Sequence, residues 1–286
     1  MTALAEVRIG GATRIAGVIG WPVDHSLSPA IHNAGFAAAD LDWAYVPLAV
    51  PPDRLAPAIR GLAPLGFAGA NVTMPHKTEA AELIGDLTED ARLLRAVNTI
   101  VVRGDDLEGH NTDAPGFTRF LERDAGFEPS GKTAVVFGAG GAARACALAL
   151  ARANLERLTV VARDEARTGG IRLIGANLGL PVDVIGPDDA GGRRFDLVVN
   201  ATPIGREPQP EHVALPELDE GVVVIDLLYD PPVTSLQRRA KEAGATAFGG
   251  LGHLLEQAAL SFELWTGTPA PLEVMSAAAV AVLADR

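Results

Sequence analysis

Three short segments place polar side chains directly after apolar runs. "ANVTMPHK" puts Lys77 two residues after Pro75, "AVNTI" contains Asn98, and "GHNTDAPGF" places Asn111 and Asp113 just before a helix expected to start around Pro115. A lysine in the first turn of a helix is disfavoured by the helix dipole, so Lys77 calls for another explanation. Taken singly, Asn111 and Asp113 are ordinary helix caps. Together with Lys77 they supply a cation, an anion and neutral donors at the ends of successive segments, where open α/β sheets bind ligands.

A fourth segment, "HSLSPAIHN", carries two serines at the start of an expected helix. Ser28 followed by Pro29 is typical of a helix start, with the serine as cap and the proline in the first turn. This interpretation leaves Ser26 without a structural role. A second hydroxyl at the mouth of a helix suits a polar ligand.

The clearest local motif is "VVFGAGGAARA", which follows an apolar strand and opens a helix. Its GxGxxA pattern allows a tight turn, lets a pyrophosphate approach the backbone and lets the helix lie close to the sheet. The motif predicts dinucleotide binding by the run Gly138, Ala139, Gly140, Gly141, Ala142 and Ala143.

The end of the next strand, "VVARDEAR", bears on which dinucleotide is bound. Arg163 and Arg167 are four residues apart, on one face if a helix has begun, and with Arg144 they suit the 2′-phosphate of NADP. Asp164 between them suits the ribose 2′-hydroxyl of NAD instead. The alternative is that both arginines are merely solvated charges.

Composition limits the classes of partner. The 286 residues carry a formal net charge of −12, which argues against nucleic acid or an anionic membrane. No stretch reaches the ~18 apolar residues of a membrane span, and the N-terminus does not resemble a signal peptide, so we expect a cytoplasmic protein with a small-molecule substrate. The scattered histidines predict no metal site, and the single cysteine, Cys146, is expected to be a small buried hydrophobe.

Strand and helix patterns alternate along most of the chain, which predicts an α/β fold with parallel strands and right-handed crossovers. The alternation is strictest after Gly131, where a doubly wound dinucleotide-binding sheet is expected. Residues 252–286 instead predict two helices with no strand between them, expected to pack back onto the first domain. Residues 186–194 and 205–212 have the composition of surface loops.

The motifs, in order, resemble one known family. "SLSPAIHN", "NVTMPHK", "AVNT", "GHNTDAPG", "GAGGAARA", "NATPIG", "DLLYDPP" and "EQAALSFELWTG" are similar to those of shikimate dehydrogenases over nearly the whole chain. The resemblance implies a substrate domain formed by residues 1–112 and 250–286, and a Rossmann domain formed by residues 113–249. It also implies reversible, NADP-linked reduction of 3-dehydroshikimate to shikimate, a step of aromatic amino acid biosynthesis.

The resemblance further implies roles for individual residues. Lys77 and Asp113 match the catalytic pair of the family. Ketone reduction builds negative charge on the carbonyl oxygen, and an ammonium group stabilises that charge and donates a proton. We therefore expect Lys77 to be the proton donor, positioned by Asp113. The matched binding residues are Ser26 and Ser28 for the substrate carboxylate, Thr73, Asn98 and Gln257 for the ring hydroxyls, Tyr229 in the same cleft, and Thr202 and Gly250 for the cofactor.

The sequence departs from the family pattern at three places. Ala162, Arg163 and Asp164 stand where Asn-Arg-Thr is common, and His253 and Arg206 replace methionines. NAD therefore remains an alternative to NADP, and a quinate/shikimate dehydrogenase is the alternative activity. A non-catalytic shikimate-binding sensor and a folate-linked dehydrogenase of similar plan are further alternatives. Both a monomer and a homodimer are compatible with the sequence.

Overall fold

The computed structural model describes residues 9–204 and 214–286. The chain divides into two compact units, of which the first comprises Met1–Thr112 and Leu255–Arg286 and the second Asp113–Leu254. Each unit contains its own sheet and helices, which confirms the predicted α/β class. The loop predicted at residues 205–212, which includes Arg206, lies outside the described residues.

The first unit is built on a mixed sheet with the strand order β2-β1-β3-β5-β6-β4. β1 is parallel to β2 and β3, whereas β5 is antiparallel to β3 and β6. The expectation of parallel strands is therefore wrong for β5 and β6, which form a hairpin whose turn contains Gly104 at a φ of +64°. Its elements are β1 (Arg14–Gly20), α1 (Ser28–Ala38), β2 (Trp43–Ala49), α2 (Leu55–Gly61), β3 (Phe67–Val72), α3 (Lys77–Leu83), β4 (Asp86–Leu87), α4 (Glu89–Leu94), β5 (Thr99–Arg103) and β6 (Asp106–His110).

The second unit is a doubly wound sheet with the order β12-β11-β10-β7-β8-β9, in which every adjacent pair is parallel. Its strand order is that of dinucleotide-binding folds, and the order reverses between β7 and β10, where such sheets bind ligands. Its elements are α5 (Asp113–Phe120), β7 (Thr133–Phe137), α6 (Gly141–Arg152), β8 (Arg157–Val161), α7 (Gly169–Leu178), β9 (Val182–Ile185), β10 (Leu197–Asn200), β11 (Val223–Asp226), α8 (Ser235–Glu242) and β12 (Thr246–Gly249). Cys146 is fully buried in α6, as predicted, and burial raises the pKa of its thiol.

The chain ends in α9 (Leu251–Thr266) and α10 (Leu272–Ala284), with no strand between them, as predicted. α10 packs on α1 where Gly35 faces Met275, since a Cβ at Gly35 would lie 3.1 Å from Met275 Cγ. In α9, the indole of Trp265 donates a hydrogen bond to the Ile100 carbonyl at 2.9 Å. Both helices therefore complete the core of the first unit. Within the described ranges, no helix is long and apolar enough to cross a membrane.

A histidine lies in the centre of that core. His32 is fully buried, stacks on Tyr45 with 4.4 Å between ring centroids, and lies 5.3 Å from Trp265. Within residues 9–204 and 214–286, neither of its ring nitrogens has a hydrogen-bond partner. Burial lowers the pKa of His32 to about 3, and the nearby Asn71 amide only partly opposes this without forming a hydrogen bond of good geometry.

We predict that His32 makes the protein less stable in acid. The unfolded chain takes up a proton at the ordinary histidine pKa of ~6.5, while the folded protein does so only near pH 3. The free energy of unfolding should therefore fall as the pH is lowered from 6.5 to about 3. His32→Phe should reduce this fall, measured by urea denaturation across the same pH series. Parallel pH profiles for the two proteins would contradict the assignment.

Candidate active site

Neither serine at the start of α1 has the structural role predicted for it. The helix begins at Ser28 itself, after Leu27, and no side chain caps it. The Ser26 hydroxyl instead accepts a hydrogen bond from the Ser28 amide at 3.2 Å, because a serine two residues ahead reaches the backbone in a local turn. The prediction of Ser28 as the cap is therefore wrong. Ser28 is buried in the first helical turn, and Ser26 is half-buried beside it.

Lys77 is the first residue of α3, within the first turn, as predicted. The backbone on both sides of it is firmly held. The buried ring of His76 hydrogen-bonds the Val50 carbonyl at 2.7 Å, and the Val97 amide donates to the Lys77 carbonyl at 2.8 Å. Thr73, four residues before Lys77, is half-buried and its amide donates to the Ile19 carbonyl at 2.9 Å.

Asn98 is the centre of a buried polar network in the first unit. Its side-chain oxygen accepts hydrogen bonds from the Thr112 amide at 2.7 Å, the Thr112 hydroxyl at 3.3 Å and the Thr99 hydroxyl at 3.0 Å. Its side-chain nitrogen donates to Thr112 Oγ1 at 2.9 Å and to Gln257 Oε1 at 3.4 Å. The structure therefore brings the predicted residues Asn98 and Gln257 together.

This network determines the positions of the oxygen and nitrogen atoms in the side-chain amides of Asn98 and Gln257. A backbone amide such as that of Thr112 can only donate, so the atom it contacts on Asn98 must be the oxygen. The Asn98 nitrogen then faces Gln257. Because this nitrogen is a donor, the Gln257 atom that it contacts must be the side-chain oxygen. Gln257 accordingly turns its own NH₂ group away from Asn98, as a donor for other groups.

Other members of this network were not predicted as site residues. Asn71 donates to Thr99 Oγ1 at 3.0 Å and to Ser261 Oγ at 2.9 Å, and it accepts from the Tyr45 hydroxyl at 2.6 Å. Asn71 and Thr99 were visible as polar residues inside apolar strands. Ser261 in "ALSFELW" and Tyr45 in "DWAYVPL" could not be recognised as site residues from sequence, since each fits an ordinary helix or strand pattern.

The helix that follows Asn111 begins earlier than the cap interpretation expects. α5 begins at Asp113, two residues before the expected start at Pro115, because a proline in the first turn removes only an amide that has no helical partner. The Asn111 side chain donates to the Ala96 carbonyl at 2.9 Å. The Asp113 side chain is buried, and its backbone carbonyl lies 3.0 Å from His253 Nε2, which must be the donor.

The glycine motif forms a tight turn between β7 and α6. Gly138 has a φ of +109°, and a Cβ there would lie 3.0 Å from Thr202 Cγ2 and 3.1 Å from the Ala201 carbonyl. Gly140 immediately precedes α6, and Ala143 is fully buried. Thr202, after β10, is fixed by Asn200, whose side-chain oxygen accepts from its amide at 3.1 Å and its hydroxyl at 2.6 Å. The motif and Thr202 therefore meet where the strand order reverses.

The arginines after β8 do not share a helix face, so that part of the prediction is wrong. A 3₁₀ turn begins at Glu165, and Arg163 precedes it. Asp164 caps this turn by accepting from the Ala166 amide at 3.0 Å. Arg163, Asp164 and Arg167 are all exposed. The stem of Arg144 packs over Gly170, where a Cβ would lie 2.9 Å from Arg144 Cδ.

The remaining predicted residues lie after β11 and β12. Tyr229 is half-buried. The Gly250 amide donates to the Leu228 carbonyl at 2.9 Å, and a Cβ at Gly250 would collide with the Leu227 carbonyl. A side chain cannot be accommodated there without moving the backbone. In the described part of the chain, no group of three or more His, Cys, Asp or Glu residues could hold a metal ion.

We predict that Gly138→Ala destabilises the second unit by about 1–3 kcal/mol, since it forces an L side chain into a strained conformation against Thr202. Gly141→Ala is the matched control, because a Cβ there meets nothing within 4 Å and alanine favours the helix. Urea denaturation measures both variants. Equal stability of the two alanine variants would contradict the role assigned to the turn.

Comparison with known proteins agrees with these features. Residues 18–100 match the family model for the shikimate dehydrogenase substrate binding domain, and residues 250–280 match that for the shikimate 5′-dehydrogenase C-terminal domain. The chain is 42% identical to the shikimate dehydrogenase (NADP(+)) of Methanopyrus kandleri, over 94% of this chain and 96% of that protein. It is 46% identical to that of Rubrobacter xylanophilus, over 91% and 93% respectively.

Solved structures extend the likeness to the fold. A shikimate dehydrogenase in complex with NADP+ has a TM-score of 0.89 and 37% identity, covering 96% of this chain and 98% of its own. The 5-ketofructose reductase of Gluconobacter sp. strain CHM43 has a TM-score of 0.88 and 32% identity, with coverages of 96% and 100%. Quinate dehydrogenase from Corynebacterium glutamicum in complex with NAD has a TM-score of 0.86 and 29% identity, with coverages of 94% and 99%. The identities and coverages show that this chain belongs to the shikimate dehydrogenase family.

Proposed function

We propose that this chain catalyses the reversible, NADP-dependent reduction of 3-dehydroshikimate to shikimate. The observation that carries the proposal is the network around Asn98, which holds two amides in one fixed orientation. A ring bearing several hydroxyls is recognised by donors and acceptors whose positions are set before it binds. Asn98 and Gln257 meet that requirement, and the relatives named as shikimate dehydrogenases agree with it.

The substrate residues are proposed from their type and location. Ser26 and Ser28 supply hydroxyl donors for the carboxylate at the start of α1. Thr73, Asn98 and Gln257 are proposed to bind ring hydroxyls, and Tyr229 is proposed as a further substrate residue.

Lys77 and Asp113 are the proposed catalytic pair. NADPH supplies the hydride, and the carbonyl oxygen becomes negative as the hydride arrives. The Lys77 ammonium group stabilises this oxygen and then gives it a proton. Asp113 keeps the ammonium and the substrate hydroxyls in place. In the oxidative direction the same lysine takes the proton back.

NADP is proposed to bind at the turn after β7. The backbone of the run 138–143 faces the pyrophosphate, and Thr202 and Gly250 border the same site. Arg163 and Arg167 pair with the 2′-phosphate as mobile, exposed cations. One carboxylate oxygen of Asp164 caps the Ala166 amide, which leaves this residue less able to bind a ribose hydroxyl and favours NADP.

A quinate/shikimate dehydrogenase that uses NAD is the second candidate. Asp164 remains exposed at the position where an acid selects NAD, and the similar structure of a quinate dehydrogenase holds NAD. We further propose that the protein acts in the cytoplasm on a small-molecule substrate, as a monomer or a homodimer.

We predict that Lys77→Met lowers kcat for shikimate oxidation by about 10²–10⁴-fold, because it removes the group that exchanges a proton with the substrate. The KM for shikimate should change little. Absorbance of the reduced nicotinamide measures both constants, with the exposed Lys241→Met as the matched control. A raised KM with kcat intact would make Lys77 a binding residue only and overturn this mechanism.

We also predict that the double variant Arg163→Ala, Arg167→Ala raises the KM for NADP by roughly tenfold or more and leaves the KM for NAD nearly unchanged. The reason is that only NADP carries the 2′-phosphate. Arg172→Ala is the control, since Arg172 is also exposed but pairs with Glu165 at 2.5 Å. If the KM values for NADP and NAD rose equally, Arg163 and Arg167 would not be binding the 2′-phosphate.

A further inference from the structure

Two polar residues of the Ser26–Asn33 segment, His32 and Asn33, have no part in the proposed chemistry. Asn33 donates to the Tyr45 carbonyl at 2.9 Å and accepts from the Tyr45 amide at 2.8 Å. His32 stacks on the Tyr45 ring with only 12° between the ring planes. Both residues therefore hold the same tyrosine on β2.

Tyr45 is buried, and its hydroxyl points into the polar network. It donates to Asn71 Oδ1 at 2.6 Å. Burial raises the pKa of Tyr45 well above its ordinary value, and the nearby Ser28 hydroxyl offsets only part of this rise. The phenol thus stays protonated, so it acts as a donor at every working pH.

The orientation of Asn71 follows from this contact. Because Tyr45 occupies the amide oxygen, the NH₂ group of Asn71 faces Thr99 Oγ1 at 3.0 Å, Ser261 Oγ at 2.9 Å and the Asn98 carbonyl at 3.1 Å. The Thr99 hydroxyl accepts from Asn71, and its own proton has two acceptors within reach, Asn98 Oδ1 at 3.0 Å and Ser261 Oγ at 2.9 Å. A chain of hydrogen bonds runs from Tyr45 to Asn98.

We propose that Tyr45 is a positioning residue for substrate binding: its hydroxyl holds the Asn71 amide in place and, through Thr99, supports a second donor to the Asn98 oxygen that the Thr112 amide orients. The inference rests on the proposed function, in which Asn98 binds a ring hydroxyl of the substrate. Without the Tyr45 hydroxyl, Asn71 Oδ1 loses its donor. The Asn71 amide is then left with a buried, unsatisfied oxygen, so it shifts and weakens the contact of Thr99 with Asn98.

Tyr45→Phe tests the proposal, since it removes one oxygen and keeps the stacked ring. The KM for shikimate is expected to rise about 2- to 10-fold, the value of one neutral hydrogen bond, while kcat and the KM for NADP stay within about twofold. Trp43→Phe, also on β2 and buried, is the packing control. Thermal midpoints of both variants separate a loss of stability from a loss of binding. An unchanged KM in Tyr45→Phe overturns the proposal.

Thr99 provides the second test, which also holds if Tyr45→Phe fails to fold. Thr99→Val should raise the KM for shikimate, whereas Thr99→Ser keeps the hydroxyl and should stay closer to the wild-type KM. In the double variant Tyr45→Phe, Thr99→Val, the increase should not exceed the larger single effect, because both changes break one chain of bonds. Equal KM values for Thr99→Val and Thr99→Ser would overturn the proposed role of Tyr45. So would an increase in the KM of the double variant that equals the product of the two single increases.

Wild-type protein is assayed first for shikimate turnover and, by calorimetry, for shikimate binding. If both are absent, the proposed function fails. If the wild type binds and turns over shikimate while the variants match it, only the role of Tyr45 fails.

Discussion

The hydrogen bond from the Thr112 amide to Asn98 Oδ1, 2.7 Å long and buried, is the contact on which the rest of the proposed substrate site depends. A main-chain amide has no alternative role, so it decides the orientation of Asn98, and Asn98 decides that of Gln257. Buried networks of this kind are stable only when each member is satisfied. Replacing one member is therefore expected to disturb the hydrogen bonds of the others. For the same reason, polar residues from β2, β3, β5 and α9 are needed to hold the side-chain amides of Asn98 and Gln257 in place.

In the second unit, the proposed cofactor site depends instead on backbone segments that lie very close to one another. Gly138 allows the turn after β7 to contact the chain after β10, and Gly250 lies against the Leu227 carbonyl. No side chain larger than hydrogen fits at either point without a shift. The turn leads directly into α6, and the first backbone amides of a helix have no acceptor within the helix, which is how a helix usually receives a phosphate.

Much of this was predictable from sequence because it depends on local patterns. The glycine turn after β7, Lys77 in the first turn of α3, and the helical end of the chain follow from spacing, apolar runs and turn residues. The roles of Ser26 and Ser28 were misassigned because both serines satisfy the same cap preference, and only the geometry shows which one reaches the backbone. Arg163 and Arg167 were placed on one helix face because their spacing fits an α-helix, whereas Asp164 caps a 3₁₀ turn between them. Tyr45 and Ser261 could not be found from any local pattern, because both contact Asn71 from distant parts of the chain. Tyr45 is 26 residues from Asn71 in sequence, and Ser261 is 190 residues from it.

Initial rates show whether this protein interconverts 3-dehydroshikimate and shikimate with NADP as its cofactor. Purified protein would be assayed for oxidation of shikimate and of quinate, each with NADP and with NAD. We expect turnover chiefly with shikimate and NADP. Comparable rates with quinate or NAD would favour the second candidate, and no turnover with any of the four pairs would contradict the account.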